Sequence, residues 1–346
     1  MLKTVNVSLP RNITINELEL FEPYQSYVLK KLTIKRLDNI FVAHPGFCLD
    51  HNNCLIRECH HDYPEQVDGF KGTADFFYWK SLNDPEQLIE LDTKNEYLLI
   101  HHPWFSNYYH WLCEGLPRLW MVRQKAKNLI LLLPEECKQY DFIMDCLGLF
   151  KFQKVFIVPS YKNLQVKRLC LPELKPICDS YDATQLKDIA SFLKRRFPGS
   201  ANVNIISEEK VYLSRKKSPR RKVENEREVE AFLNEKGFVT VYNEDYSFQD
   251  LVSLYQRTKY LVSVHGAGLT NMLFMNQGSH VLELYKRVSN KSDWHSLAYW
   301  YLADAMGHFY YQQICEPVNS EDHFFFANIW INIEKLDQNI SLMLSG

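Results

Sequence analysis

The segment from Tyr260 to Met275 constrains the fold of this chain more than any other stretch. It begins with a short valine-rich run, passes through the turn His265-Gly266-Ala267-Gly268, and ends in an apolar run of helical length. A strand, a glycine turn and a helix start, in that order, present free backbone N–H groups to a phosphate. Glycine is expected because a side chain would block positive φ or hold ligand oxygens away. The segment therefore predicts a phosphate-binding turn, with a turn that only packs helix on strand as the alternative.

Two neighbouring segments favour the phosphate-binding interpretation. Ser279 to Tyr285 is a predicted strand with Glu283 near its C-terminal end, where an acid can accept a hydrogen bond from a ribose hydroxyl. A predicted strand that starts at Lys210 runs into a loop of six basic residues: Arg215, Lys216, Lys217, Arg220, Arg221 and Lys222. The rigid fork of arginine binds two phosphate oxygens at once. Each basic residue alone is typical of a solvated loop, but the three segments together indicate a nucleotide diphosphate site.

A second region of chemical interest, His101 to Trp120, is rich in aromatic residues. Asn107 is placed to cap the helix that follows it. His110 and Glu114 are four residues apart on that helix, so they lie on one face within reach of each other. Such a pair can take a proton from a hydroxyl nucleophile, with the carboxylate as base and the imidazole as helper, or with these roles exchanged. The alternative is a half-buried helix in which the two side chains only satisfy each other.

Taken together, these segments resemble glycosyltransferase family 61. The resemblance rests on Asn-Tyr-Tyr-His-Trp-x-x-Glu-x-Leu-Pro-Arg, on Ser-Arg followed by Arg-x-x-x-Asn, and on His-Gly-Ala-Gly-Leu-x-Asn with a later Glu-Leu. Order and spacing match from about residue 100 to residue 310. The resemblance implies an α/β chain of GT-B type, with two Rossmann-like domains facing across a cleft. It also implies inversion at the anomeric carbon, no bound metal and no cofactor.

The resemblance also implies roles for single residues. Glu114 corresponds to the acid proposed as catalytic base, and His110 to its neighbour, although many eukaryotic members carry Asp in place of Glu. The acceptor side would include Asn107, Tyr109 and Trp111. The donor nucleotide sugar would be bound by a larger set in the second half of the chain: Arg215, Arg221, Asn225, His265, Gly266, Ala267, Gly268, Asn271 and Glu283.

Other features of the sequence agree with metal-free transfer. No two aspartates have the Asp-x-Asp spacing that metal-dependent sugar transferases commonly use, and the nearest pattern is Glu90-Leu-Asp92. The leaving diphosphate would then be neutralised by arginines, lysines and a helix end. A single in-line displacement inverts the anomeric carbon and needs one base, which the first half of the chain supplies.

The length of 346 residues predicts two domains of ordinary size. We place the first at residues 1–196, as a small β-rich lead-in followed by an acceptor-side Rossmann-like domain. A linker at Phe197-Pro-Gly would lead to the nucleotide-sugar domain, residues 197–325. Residues 326–346 would form a helix that packs back on the first domain.

Composition excludes some partners. A net charge of −2 lacks the broad positive field that a general nucleic-acid binder needs. No stretch reaches the roughly 18 apolar residues of a membrane span, and no signal peptide is visible, so a cytoplasmic location is expected. The predicted partners are a nucleotide-sugar donor and a glycan or lipid-linked saccharide acceptor of surface polysaccharide synthesis, with peripheral contact to a membrane as an option. The nine cysteines are expected to be reduced thiols. The alternatives are a disulfide or a zinc site among Cys48, Cys54 and Cys59, although their spacings match no common zinc pattern.

Two other classes of function remain open. A nucleotide-dependent oxidoreductase is suggested by Gly266-Ala-Gly268 after a strand, but Asn271 stands where a third glycine is usual. A non-catalytic glycan- or nucleotide-binding protein on the same scaffold would be expected to lack Glu114 or the arginines, and the chain has both. A serine hydrolase is disfavoured because no Gly-x-Ser-x-Gly motif occurs.

Overall fold

The computed structural model describes residues 2–198, 209–291 and 293–346. Contacts within the chain divide it into two compact units. The first unit is built mainly from Lys30–Ser180, and the second from Thr4–Leu29 and Tyr181–Gly346. The predicted linker extends to Gly199, which lies outside the described residues, and the predicted domain boundaries stay a prediction.

The helices and strands are numbered in chain order. The strands are β1 (Leu2–Asn6), β2 (Ser26–Lys30), β3 (Ile34–Val42), β4 (Cys48–Leu49), β5 (Leu88–Glu90), β6 (Tyr97–Leu98), β7 (Ile130–Pro134), β8 (Lys154–Val158), β9 (Asn163–Pro172), β10 (Lys210–Leu213), β11 (Val239–Val241), β12 (Tyr260–Val264), β13 (His280–Lys286), β14 (Phe309–Pro317) and β15 (Ile329–Trp330). The α-helices are α1 (Pro64–Asn83), α2 (Tyr108–His110), α3 (Leu116–Val122), α4 (Asp141–Gly148), α5 (Ala183–Arg196), α6 (Glu226–Glu235), α7 (Phe248–Arg257), α8 (Ala298–Met306) and α9 (Ile333–Ser345).

The first unit contains a mixed sheet with strand order β4-β3-β9-β6-β7-β8, and β5 also pairs with β9. The strands β9, β6, β7 and β8 run parallel to one another, whereas β3 is antiparallel to β9 and to β4. All five residues of β7 are apolar and buried, which is typical of a parallel strand covered on both faces. The helix α4 lies between β7 and β8 in the chain, and these two strands pair in parallel.

The second unit contains a sheet with strand order β11-β10-β12-β13-β14-β15. Its first five strands are parallel, and β15 is antiparallel to β14. If the five parallel strands are renumbered 1 to 5 by their order in the chain, their order across the sheet is 2-1-3-4-5. This is the strand order of one common doubly wound fold. The strand order reverses between β10 and β12, and ligands of such sheets bind beyond the carboxyl ends of the two strands at that point. The chain is therefore of the α/β class with parallel sheets, as predicted.

Both units have cores of fully buried apolar side chains. In the first, Val42 of β3, Leu132 of β7 and Val166 of β9 belong to one cluster. In the second, α6 and α9 both contribute to the cluster that covers β10, β12 and β13. The C-terminal helix α9 thus packs in the core of the second unit.

Two segments differ from the sequence-based expectation. The first fifty residues are rich in strand, but β3 and β4 extend the first sheet and Thr4–Leu29 belongs to the second unit, so they are no separate lead-in. The run after the glycine turn is a 3₁₀ helix, Ala267–Phe274, whose last six residues are all buried. Among the described residues, no helix combines the length and apolar character needed to cross a bilayer.

Candidate active site

The segment that carries His110 and Glu114 is one helix with an irregular centre. It starts as α2, where the Asn107 side chain accepts a hydrogen bond from the backbone N–H of Tyr109 at 2.9 Å, so the predicted cap is confirmed. A π-helical turn, Trp111–Gly115, follows and leads into α3. Such π-turns insert one residue into a helix and are frequent at functional sites. This turn contains Glu114.

Two predicted acceptor-side residues, Tyr109 and Trp111, make contacts that hold this helix in place within the first unit. Tyr109 is buried, and its hydroxyl donates to the backbone oxygen of Cys178 at 3.0 Å. Trp111 is fully buried beneath Gly115, where an added Cβ would lie 2.9 Å from the indole carbon Cε3. Their positions support the helix that holds Glu114.

Glu114 lies at the centre of a cluster of three histidines and one lysine. Its Oε1 is 3.0 Å from Nε2 of His61 and 3.7 Å from Nζ of Lys175. Its Oε2 is 2.7 Å from Nδ1 of His110 and 3.1 Å from Nε2 of His102. Both carboxylate oxygens are therefore engaged by nitrogen atoms, and the side chain has no exposed surface.

The neighbours of Glu114 set its protonation state. Burial alone would raise the pKa of the carboxyl, but the charges of His61 and His110, and the hydrogen bond from His110, hold it well below its usual value. Burial lowers the pKa of His102 to about 4 against the opposing effect of Glu114. Asp179 nearby has its pKa raised to about 6 by burial, partly offset by Lys175. Near neutral pH the cluster holds one carboxylate at Glu114 and a neutral imidazole at His102.

His110 is the one of the three histidines in this cluster with exposed surface. Its side chain is 20% exposed, whereas those of His61 and His102 have none. An ionised carboxylate only accepts hydrogen bonds, so Nδ1 of His110 must carry the proton that Glu114 receives. In the neutral ring Nε2 is then the proton acceptor. The arrangement presents one oriented basic nitrogen, with the carboxylate behind it.

Sequence reasoning did not connect His61, His102 or Lys175 with Glu114. His61 lies 53 residues before Glu114, so no local spacing could reveal the contact. The nine cysteines are all free thiols. Cys48 and Cys59 are buried together, with the backbone N–H of Cys48 3.2 Å from Sγ of Cys59. Cys54 is exposed. Within the part of the chain that the structure describes, none of these three belongs to a group of side chains spaced to hold a metal ion.

The second candidate site lies in the second unit, where the strand order reverses. Arg215 follows the end of β10, and the turn His265-Gly266-Ala267-Gly268 follows β12. The guanidinium of Arg215 lies directly against Gly266, because a Cβ atom there would collide with Nη1. Gly266 has φ 166°, which is extended backbone. Glycine at this position therefore allows the close approach of Arg215, and no left-handed conformation is involved.

Arg215 and Arg221 form a cationic pair with unused hydrogen-bonding capacity. Their neighbours Lys216 and Lys217 pair with Glu230 and Asp245. Among the described residues neither arginine pairs with a carboxylate, and the Nε atoms of both are buried without a hydrogen-bond partner. Burial, reinforced by the charge of Arg215, lowers the pKa of Arg221 to about 10. Two half-buried like charges of this kind favour an anion beside them.

The backbone at Arg221 is strained. Its φ of 57° lies in the left-handed region, which residues other than glycine seldom adopt. The next residue, Lys222, is held by a hydrogen bond from its N–H to the side-chain oxygen of Asn328 at 2.9 Å. Strain held in place by surrounding contacts is common at ligand-binding positions.

His265 and Glu283 form a buried pair beneath the glycine turn. Nδ1 of His265 lies 2.5 Å from Oε1 of Glu283, and the other carboxyl oxygen accepts from the hydroxyl of Tyr310. Glu283 is fully buried. Burial lowers the pKa of His265, against the raising effect of Glu283. Glu283 has no exposed surface through which a ribose hydroxyl could reach it, so the contact predicted for it stays a prediction, and the geometry favours a role through His265.

Two other predicted donor-site residues, Asn225 and Asn271, form hydrogen bonds with backbone groups. The side chain of Asn225 bonds both the N–H and the C=O of Ile331, at 3.0 and 2.9 Å. Asn271 is fully buried and donates to the backbone oxygen of Gly268 at 2.9 Å. Arg215, Arg221, His265 and Gly266 are therefore the members of the predicted set that the structure brings together at the strand ends.

Comparison with known families finds a match. The model of the family described as Glycosyltransferase 61 matches residues 108–282. This range is just over half of the chain, and it contains His110, Glu114, both arginines and the glycine turn. A comparison with curated proteins gives no match.

Proposed function

Because the chain belongs to glycosyltransferase family 61, we propose that it is an inverting enzyme that moves a sugar from a nucleoside diphosphate donor to a glycan hydroxyl. Membership makes the chain a glycosyltransferase. The donor we propose is a UDP-sugar, and the acceptor is a glycan or lipid-linked saccharide of surface polysaccharide synthesis. The proposal includes the GT-B arrangement of two Rossmann-like domains and transfer without a metal ion at the diphosphate.

The observation that carries the proposal is that neither Arg215 nor Arg221 pairs with a carboxylate among the described residues, although Nη2 of Arg215 donates to Ser218 and to the backbone oxygen of Arg220. A half-buried guanidinium without a counter-ion is unfavourable, and its Nε has no partner among the described residues. A diphosphate placed beyond the carboxyl ends of β10 and β12 would accept these donors two at a time. The same charges would stabilise the leaving diphosphate, the task that a metal ion performs in other sugar transferases.

For the acceptor we propose that His110 is the general base and that Glu114 positions it. The sequence allows either residue to be the base, and the resemblance to the family implies the opposite assignment, with Glu114 as the base. The acceptor oxygen attacks the anomeric carbon while its proton passes to Nε2 of His110. The bond from that carbon to the diphosphate breaks, and the electron pair stays on the diphosphate beside Arg215 and Arg221. Glu114 stabilises the imidazolium that forms. One displacement of this kind inverts the anomeric centre.

Thermal unfolding with a panel of nucleotides tests the donor. The panel contains UDP, GDP, CMP, UDP-sugars and NAD, each with and without EDTA. A ligand at 100 times its Kd that binds only the folded state adds about 2.7 kcal/mol to the free energy of unfolding. We expect UDP to raise the melting temperature equally with and without EDTA. Arg215→Ala should lose this shift, and Lys217→Ala, which removes a lysine already paired with Asp245, should keep it.

Other results would point elsewhere. A shift with NAD alone would favour the oxidoreductase, whose glycine turn would then bind a dinucleotide. No shift with any nucleotide would favour a non-catalytic member of the family. A UDP shift that EDTA abolishes would contradict metal-free binding of the diphosphate.

A further inference from the structure

The cluster around Glu114 contains a set of ligand atoms arranged for a metal ion. Nε2 of His102, Nδ1 of His110 and the carboxylate of Glu114 all lie within 4.8 Å of one another. His102 is fully buried, and neither of its ring nitrogens makes a hydrogen bond with the described residues. Its Nε2 is nevertheless only 3.1 Å from Oε2 of Glu114, too poorly aligned for a hydrogen bond. Buried polar groups nearly always have a partner, so an imidazole that faces a carboxylate without a hydrogen bond indicates that another group binds between them.

We propose that His102, His110 and Glu114 bind a divalent transition-metal ion, zinc above all, and that this ion inhibits transfer. The inhibition rests on the proposed function, whereas the binding of the ion does not. Two imidazole nitrogens and one carboxylate oxygen, with a fourth position open, form a common zinc ligand set. Zinc bonds of 2.0–2.1 Å in a tetrahedron separate ligand atoms by roughly 3.3 Å. The present separations of 2.7 and 3.1 Å from Oε2 would need to lengthen by about 0.6 and 0.2 Å to reach that value.

The charge of Lys175 favours this set of metal ligands over a second possible set that also contains Glu114. His61, Cys178 and Glu114 are also close enough to hold an ion. That set faces Oε1, and Nζ of Lys175 lies 3.7 Å from the same oxygen. An ammonium group there would repel a metal cation. Oε2 faces the two histidines on the other side, and His110 has the exposed surface through which an ion can enter.

An ion at this position would disable the proposed base. In the metal-free cluster Nδ1 of His110 donates its proton to Glu114, and the lone pair of Nε2 is free to accept another. A metal ion needs the lone pair of Nδ1, so the ring proton moves to Nε2. An imidazole bound in this way can donate from Nε2 but cannot accept there. Glu114 would also be engaged by the ion and could not stabilise an imidazolium.

Cobalt titration of the metal-free protein tests the site directly. Co²⁺ in a tetrahedral nitrogen and oxygen environment absorbs visible light strongly, so binding can be followed without any transferase assay. We expect saturation at one equivalent and competition by Zn²⁺. His102→Gln should abolish the absorption. Cys178→Ser, in the competing set, and His51→Gln, an exposed histidine elsewhere in the unit, should leave it unchanged.

A second measurement guards against misfolding of the His102→Gln variant. Zn²⁺ should raise the melting temperature of the wild-type protein, and EDTA should reverse the shift. Absence of both the cobalt absorption and the zinc shift in the wild-type protein would overturn the proposal. So would cobalt absorption that survives in a folded His102→Gln variant or disappears in Cys178→Ser.

The inhibitory consequence is measured separately. One equivalent of Zn²⁺ should reduce turnover by about 100-fold, the low end of what a general base contributes, and EDTA should restore it. The UDP-dependent melting shift should persist, because Arg215 and Arg221 are not ligands of the ion. If Zn²⁺ binds through His102 and turnover does not change, the inhibitory part of the proposal is wrong. If no donor supports transfer at all, the proposed function fails while the cobalt titration still decides the metal site.

Discussion

Nδ1 of His110 lies 2.7 Å from Oε2 of Glu114, one turn further along the same helix. The imidazole is partly exposed and the carboxylate is fully buried. A hydroxyl can therefore approach the histidine but not the acid. The pairing is that of an accessible base and the buried anion that orients it, and it determines how each residue should respond to substitution.

Glu114→Gln should reduce turnover with little change in donor affinity. The amide oxygen can still accept from His110, but the negative charge that stabilises the imidazolium is lost. We expect a decrease in kcat of about 10²- to 10⁴-fold, the range for general-base catalysis. Glu136→Gln is the matched control, because Glu136 pairs with His44 at 3.4 Å in the same unit. Steady-state kinetics with a UDP-sugar, together with UDP binding, measure both effects. Unchanged turnover in Glu114→Gln would remove the residue from the mechanism.

Acidification from about pH 6.5 to pH 4 should lower the free energy of unfolding. Burial lowers the pKa of His102 from 6.5 to about 4. In this window the unfolded chain binds a proton that the folded chain does not, so protons favour unfolding. The folded pKa of Glu114 is depressed, so its contribution is fully present above its ordinary value of about 4.3 and is lost only below it.

Urea unfolding at several pH values separates these contributions. His101, His295 and His308 are buried with their pKa values lowered in the same way, so the wild-type loss should exceed that of one histidine. His102→Gln should reduce the loss between pH 6.5 and 4 by up to about 3 kcal/mol, the equivalent of its pKa shift. Identical pH dependence in the wild-type protein and the variant would show that His102 is protonated in the folded chain.

Elements with local signals could be predicted from the sequence, and those without them could not. The helix α5 has local signals at both ends, because the Asp182 side chain accepts a hydrogen bond from the N–H of Gln185 and the last residues of the helix are basic. The helix α1 was missed, because Phe76 and Trp79 are exposed and Gly69 and Gly72 interrupt any apolar stripe. The long strand β9 was also missed.

In the candidate site, too, contacts between residues close in sequence could be predicted, and contacts between distant residues could not. The contact of His110 with Glu114 follows from helical spacing and was predicted. The contacts of His61 and His102 with Glu114 arise only when the chain folds, since both residues lie before the helix. Arg215 and the glycine turn were each found by their composition, but their contact at Gly266 depends on β10 and β12 being neighbours in the sheet.

Gly266→Ala should weaken nucleotide binding without unfolding the protein. The new methyl group would occupy the position of the Arg215 guanidinium, which can swing away at its flexible end. We expect UDP affinity to fall by about tenfold, or 1.4 kcal/mol. Gly148→Ala is the control, because an added Cβ there meets nothing within 4 Å. Isothermal titration with UDP measures the difference. Equal affinity in Gly266→Ala and the wild-type protein would separate Arg215 from the donor site.

Asn225→Ala should destabilise the second unit and leave UDP affinity nearly unchanged. The side chain bonds the N–H and C=O of Ile331 just before α9. Loss of these bonds leaves buried backbone groups unsatisfied, at about 1–3 kcal/mol for each group. Asn234→Ala, a change of the same kind on the exposed side of α6, should have little effect on unfolding. Chemical denaturation and UDP titration of both variants distinguish a structural asparagine from a ligand-binding one. A large loss of UDP affinity in Asn225→Ala with unchanged stability would return this residue to the nucleotide site that the family resemblance implies.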